Sequence, residues 1–218
     1  MLHVARGNLP MSEISAPDAA LWHRFPSVRV NLATAPVAMQ PSKYVQAKWK
    51  DEEFGRLRAL GFQAAHDGTE LALRLEWPTE APPRRTHRDN DEFPDAAALL
   101  FPLHEQAPVF MGTQDAPVSI WHWKDNGAPA AVANVAQGIG SSTVQPENNI
   151  GVSALWQDGR WQVVFRRLLM PAPAITTQPR FALDTPQRIG FAVWDGHRQE
   201  RAGLKAFSPS WTEFVLAT

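Results

Sequence analysis

Apolar and polar positions alternate with a period of two along most of this chain. Val28, Val30 and Leu32 alternate with Arg29 and Asn31, which predicts a strand over residues 27–32. Residues 60–66 and 70–77 flank Asp67-Gly68-Thr69, and Asp-Gly supplies the positive φ of a tight hairpin turn. In the second arm Leu71, Leu73, Leu75 and Trp77 share one face, Ala72, Arg74 and Glu76 share the other, and Pro78 ends the run. A second hairpin follows the same rule: residues 151–157, a turn at Asp158-Gly159, and residues 160–169, where Trp161, Val163 and Phe165 alternate with Gln162, Val164 and Arg166. Between the hairpins, Ala96 to Phe101 is a short apolar run ended by Pro102. Val118 to Lys124 then places Trp121 and Trp123 on one strand face, with Ile120 and His122 on the other. Residues 188–194 and 212–216 complete the predicted strands, the last closing the sheet.

The connections carry turn and breaker residues. Residues 1–26 read as an extended arm that docks Leu21 and Trp22 on the body. Residues 33–57 are broken by Pro36 and Pro41, and the charged stretch 48–58 suits a helical turn or an edge strand. Residues 78–94 are a polar, Pro-rich surface loop. Residues 125–149 read as connecting loop with one strand, and residues 171–186 hold four prolines. No long amphipathic helix, internal repeat or linker is evident. The pattern predicts an all-β antiparallel β-sandwich with long loops and a few short helices, as one domain over residues 1–218.

Composition removes several function classes. The 218 residues suffice for one sizeable core, and 21 basic against 22 acidic residues leave no basic surface for nucleic acid. The absence of cysteine excludes disulfides, thiolate-held iron–sulfur clusters and covalently attached haem within this chain. No apolar run approaches the roughly 18 residues of a membrane span, and the N-terminus has no signal-peptide core. Nine Trp and eleven Phe suit a core, an interface or a pocket for a flat ligand equally well. No nucleophile elbow, phosphate-binding loop or close-spaced His/carboxylate metal set is present.

The most specific stretch is residues 95–124. Its pieces are Asp95-Ala-Ala-Ala-Leu-Leu-Phe-Pro, Met111-Gly112 and Trp121-His-Trp-Lys124, followed later by Phe191-Ala-Val-Trp-Asp-Gly196 and Glu200-Arg-Ala-Gly-Leu-Lys205. A methionine between strands usually fills a core gap, and most lysines are solvated. As a set, however, D-x-A-A-x-x-F-P, M-G, W-x-W-K, F-A-V-W-[DS]-G and E-R-x-G-x-K resemble the haem b-binding gamma subunit of ethylbenzene dehydrogenase. Its relatives are the gamma subunits of steroid C25, dimethyl sulfide and selenate or chlorate enzymes. The match runs from about Val28 to the C-terminus and is strongest at residues 95–124 and 191–208.

The resemblance implies an electron-transfer subunit that binds haem b non-covalently, with Met111 and Lys205 as the axial ligands. His197 and His122 are the reserve ligands, and Arg84, Arg85 and Arg88 are candidates for propionate or partner contacts. It also implies a heterotrimer with an iron–sulfur beta subunit and an alpha subunit carrying the molybdenum cofactor, of hydrocarbon or steroid hydroxylating type. That complex would exchange electrons with an external acceptor, outward for a dehydrogenase and inward for a reductase, and this chain would be non-catalytic on its own. The expected location is the periplasm, reached by co-export with the catalytic partner; the alternative is the cytoplasm. A lysine ligand must be neutral, which costs about 4.6 kcal/mol at pH 7 from an unperturbed pKa, so it needs an apolar pocket. The competing reading is a β-sandwich carbohydrate-binding module stacking Trp121 and Trp123 on sugars, and a third is a purely structural subunit.

Overall fold

A computed structural model describes residues 1–7, 10–79, 93–127, 131–146 and 149–218. The strands are β1 (Leu2–Val4), β2 (Val28–Asn31), β3 (Ala33–Thr34), β4 (Ala59–His66), β5 (Glu70–Pro78), β6 (Ala96–Pro102) and β7 (Val118–Lys124). They continue with β8 (Val132–Ala136), β9 (Ser142–Val144), β10 (Gly151–Gln157), β11 (Arg160–Leu168), β12 (Pro186–Trp194), β13 (Ala206–Phe207) and β14 (Thr212–Leu216). One α-helix, α1 (Lys43–Trp49), starts at Ser42, whose hydroxyl accepts from the Val45 N–H, and three short 3₁₀ turns complete the regular structure among the described residues.

Two sheets pack face to face, as the alternation predicts. One runs β10-β11-β5-β4-β2. The other runs β1-β14-β12-β6-β7-β8-β9, with β13 joining the second half of β12 and β3 pairing β13. Both Asp-Gly hairpins form where expected. The inner faces are the alternating sets: Leu71, Leu73, Leu75 and Trp77 meet Ala97, Leu99, Phe101, Phe191 and Val193 in one core. Trp121 is wholly buried and Trp123 is 3% exposed, packed among Phe101, Trp77 and Trp161. The sugar-binding reading required these two indoles at the surface, and the sandwich interior removes them from it.

Several connections differ from expectation. Residues 125–149 hold two strands, β8 and β9, which widen the sheet beyond β7. Their small and polar residues mask a strand pattern because only one flank is covered. β1 pairs β14 in parallel, an exception to the antiparallel scheme that three residues could not reveal. Residues 109–111 form a turn that brings Met111 to the sheet. Met11, Ile14 and Trp22 from the N-terminal segment cover Ala65, Ala72 and Val164 on the outer face of the five-stranded sheet, with Leu21 half-buried beside them.

β6, β7 and β12 are apolar on both faces. Their outer face carries Ala96, Ala98, Leu100, Val118, Ile120, Ala192 and Trp194 and is covered by loops that contribute Ala35, Trp49, Phe54, Ala107, Leu204 and Phe207. A second apolar layer on the outside of a sandwich sheet is unusual for a single-layer loop cover, and the candidate site lies within it.

Candidate haem site

The register lays out a floor. Gly190, Leu100, Ile120 and Asn134 stand side by side across β12, β6, β7 and β8, and Ala192, Ala98, His122 and Val132 form the next row. Four strands at about 4.8 Å spacing span about 14 Å. The near row on β6 and β12 is mostly small, so a flat ligand can lie close to the sheet.

Met111 hangs over this floor from the β6–β7 connection. It adopts φ 64°, and Gly112 follows at φ 65°. A left-handed methionine costs roughly 1–2 kcal/mol, and the surrounding bonds over-determine it. Met111 N–H donates to Val109 O at 2.9 Å, Gly112 N–H to Pro108 O at 3.2 Å, and Gly138 N–H to Met111 O at 2.8 Å. A Cβ at Gly112 would lie 2.8 Å from Ala116 O and 3.0 Å from Ala136 O, which is why glycine stands there.

Lys205 comes from the opposite side, on the loop between β12 and β13. Its carbonyl accepts from Ala35 N–H at 3.0 Å. Gly203 O accepts from Gln40 Nε2 at 3.0 Å, and Ala202 O accepts from Trp194 Nε1 at 3.0 Å. Glu200, 2% exposed, accepts from Gly55 N–H at 2.5 Å and Asp195 N–H at 3.0 Å. Burial pushes the Glu200 carboxyl up to about 7 despite those N–H donors. Asp95 ties the same loop to the core: its carboxylate accepts from Gly196 N–H and Trp161 Nε1, each at 2.8 Å. Two of the quoted motifs, D-x-A-A and F-A-V-W-D-G, are thereby braced by one carboxylate.

These two loops bring Lys205 Nζ to 3.9 Å from Met111 Sδ, although the residues are 94 apart in sequence. The amine also lies 5.0 Å from the Trp194 ring centroid, and no carboxylate partners it among the described residues. Burial alone pushes its pKa down to about 8. Deprotonation at pH 7 then costs about 1.4 kcal/mol rather than about 4.6.

Apolar cavities of about 60 and 300 Å³ flank this contact, one toward β13 and one toward β9; both are lined by Leu100, Met111, Ile139, Ala192, Gly203 and Lys205. They are two halves of one slot that the Met111–Lys205 contact divides. A thioether and an amine that face each other across an apolar slot are donor types that could hold an iron between them. The donor set, the slot and the small-residue floor fit a haem.

The other sequence candidates separate. His122 lies in the slot toward β9, its ring packed at a tilt against Trp194 with centroids 5.0 Å apart, and burial, with Lys124 and Lys205, pushes its pKa down to about 4. His197 is exposed and lines a different cavity with Lys48, Trp49 and Glu52, so the fold does not bring it to Met111. Arg84, Arg85 and Arg88 lie outside the described residues. Among the described residues no three His, Asp or Glu side chains gather as a metal site, and no helix is long and apolar enough to cross a membrane. Sequence reasoning missed the walls at Ala35, Met39, Gln40 and Ile139. The signal available was weak: Met39 and Ile139 are large apolar residues in breaker-rich segments.

Known proteins are similar to this chain in sequence. A family model described as ethylbenzene dehydrogenase matches residues 19–148, which include Met111 and end before Lys205. The chlorate reductase gamma subunit of Ideonella dechloratans is 30% identical over 91% of this chain and 78% of its own length. The dimethylsulfide dehydrogenase gamma subunit of Rhodovulum sulfidophilum is 31% identical over 89% of this chain and 72% of its own. A proposed respiratory nitrate reductase haem subunit of Haloferax mediterranei is 30% identical over 91% and 67%. In fold, the chain is similar to a proposed carbohydrate-binding protein from Bacteroides uniformis, with TM-score 0.55 and 9% identity over 99% of this chain and 97% of that one; the likeness is one of architecture. With a family model matching about three-fifths of its residues, and relatives 30–31% identical over about nine-tenths of it, the chain belongs to the ethylbenzene dehydrogenase family.

Proposed function

We propose that this chain is a haem b electron-transfer subunit, with Met111 and Lys205 as the two axial ligands. The observation that carries the reading is the 3.9 Å approach of Sδ and Nζ in the middle of an apolar slot. Bound haem supplies one-electron exchange between ferric and ferrous iron. Met111 offers a thioether, which favours the ferrous form and raises the potential. Lys205 offers an amine whose proton is lost at modest cost because burial has already weakened it. Filling both axial positions leaves no site for oxygen or peroxide, so the chain acts as a relay.

In this reading an iron–sulfur beta subunit passes electrons to or from the haem, and a molybdenum-bearing alpha subunit performs the substrate chemistry, of hydrocarbon or steroid hydroxylating type. The haem exchanges electrons with an external acceptor, outward in a dehydrogenase and inward in a reductase. The assembly functions in the periplasm, exported together with its catalytic partner. The haem subunit among the relatives supports the cofactor, and the gamma subunits support a place in a multi-subunit complex.

The test is the visible spectrum of the haem-loaded chain and of its ligand variants. The wild type should be low-spin. Met111→Ala should lower the reduction potential, and Lys205→Ala should shift the spectrum to high spin. Lys205→Arg should not restore it, because guanidinium stays protonated, whereas Lys205→His should restore it in part. Low-spin spectra in both alanine variants would sink the ligand assignment. Fractionation that finds the assembled complex only in the cytoplasm would sink the location.

A further inference from the structure

The two ends of the slot differ in chemistry. Toward β13 the polar side chains are already committed: Gln40 Nε2 donates to Gly203 O, and Ser208 Oγ accepts from Phe191 N–H at 2.9 Å. Around them Val109, Phe110 and Phe207 make the wall apolar. Toward β9, His122 Nε2 is buried with no hydrogen-bond partner among the described residues, and Asn134 and Ser142 line the same cavity. A buried ring nitrogen left without a partner loses its solvation with nothing in return, so such groups call for an explanation. His122 is not free to turn away, because its ring packs on Trp194 at 5.0 Å. Lys124 follows two residues later on the same strand face and adds positive charge at that end.

A haem is amphiphilic: one edge carries two propionates and the opposite edge is hydrocarbon. Building on the haem reading above, we propose that His122 Nε2 donates a hydrogen bond to a propionate. The carboxylate edge then lies at the β7–β9 end, and the hydrocarbon edge lies against the packed pair Phe110 and Phe207, whose ring centroids lie 4.8 Å apart. The orphaned nitrogen is satisfied by the ligand, and a single orientation of an otherwise near-symmetric disc is selected. Insertion the other way round would leave His122 unpaired and set two carboxylates against aromatic rings.

The test is a binding cycle with the chain in complex with its partner subunits and freed of haem, titrated with haem and with its dimethyl ester, in which both propionates are capped. The low-spin absorption is followed in each titration. The wild type should bind haem about tenfold or more tightly than the ester, the range of a hydrogen bond to a charged group. His122→Phe keeps the ring on Trp194 but has no donor, so its preference should fall toward unity while the spectrum stays low-spin. His122→Gln should retain much of the preference. An unchanged preference in His122→Phe would overturn the orientation while leaving the haem reading intact. Loss of the low-spin spectrum in that variant would make His122 a ligand and also overturn it. Failure of the wild type to form a low-spin complex with either pigment would refute the haem reading itself, and this inference with it.

Discussion

Gly55 offers a direct test of how the lysine is held. It sits at φ 59°, and a Cβ there would lie 2.7 Å from Lys205 O and 3.1 Å from both Lys205 C and Thr34 Cα. All three neighbours are backbone atoms, so no rotamer change can relieve the contact. Lys205 O is fixed by Ala35 N–H at 3.0 Å, and Gly55 N–H is fixed by Glu200 at 2.5 Å. Gly55→Ala therefore incurs a left-handed penalty of roughly 1–2 kcal/mol and an overpacking cost of roughly 1–3 kcal/mol. Gly127 is the control: its φ is 78°, with nothing within 4 Å of the added Cβ, so Gly127→Ala incurs only the first cost. Urea denaturation of the haem-free chain should place Gly55→Ala below Gly127→Ala by about 1–3 kcal/mol. The haem-loaded Gly55→Ala protein should also show a high-spin fraction, because the Lys205 carbonyl has been pushed aside. Equal stability of the two variants, with equal low-spin spectra, would refute a lysine loop held by close backbone approach.

Other outcomes follow from the same loops. Glu200 titrates near 7 in the folded chain against an ordinary 4.5, so the folded form holds this proton more tightly. Its contribution is complete below the unfolded value and is lost as pH rises through 7, by up to about 3 kcal/mol; Glu200→Gln should flatten that fall when urea midpoints at pH 5 and pH 8 are compared. Asp95→Ala strands buried donors on Trp161 and Gly196 and should cost about 2–4 kcal/mol by chemical denaturation; a loss under 1 kcal/mol would show the brace to be dispensable. Expressed without partners, the chain should be poorly soluble or haem-deficient, and a stable haem-replete monomer with no affinity for any partner would count against the assembly proposed.

The strands were legible because each inner face is made of large apolar residues at period two: Leu71, Leu73, Leu75 and Trp77 could only be one face of a half-buried strand. The same rule placed Ile120 and His122 opposite Trp121 and Trp123. It could not say that both faces of β7 are covered, since the cover comes from loops distant in sequence. Residues 125–149 show only one strand in sequence because Asn134, Ser142 and Thr143 interrupt the apolar pattern of β8 and β9. Met111 and Lys205 were legible only through their motif neighbours, Gly112 and the Glu200–Gly203 turn. What makes them a pair is a set of backbone contacts, with Ala35, Gly55 and Gly138, that carry no side-chain signature. His197 looked as good as His122 by proximity to Lys205, but the 3₁₀ turn at Gly196–Arg198 carries it to the surface.

The long chain separation of the central contact sets an order of events during folding. Neither Met111 nor Lys205 is placed by local structure; each hangs from a loop whose ends are fixed only once β6 has zipped against both β7 and β12. Contacts between distant segments close slowly compared with hairpins, and 94 residues separate this pair. The two Asp-Gly hairpins can therefore assemble early, with the ligand cleft arriving only as the β6–β12 seam completes. Pigment added to a refolding chain should be captured with or after the slowest structural phase. A low-spin band that appears in the dead time of mixing would mean that the two loops meet before the sheet that carries them.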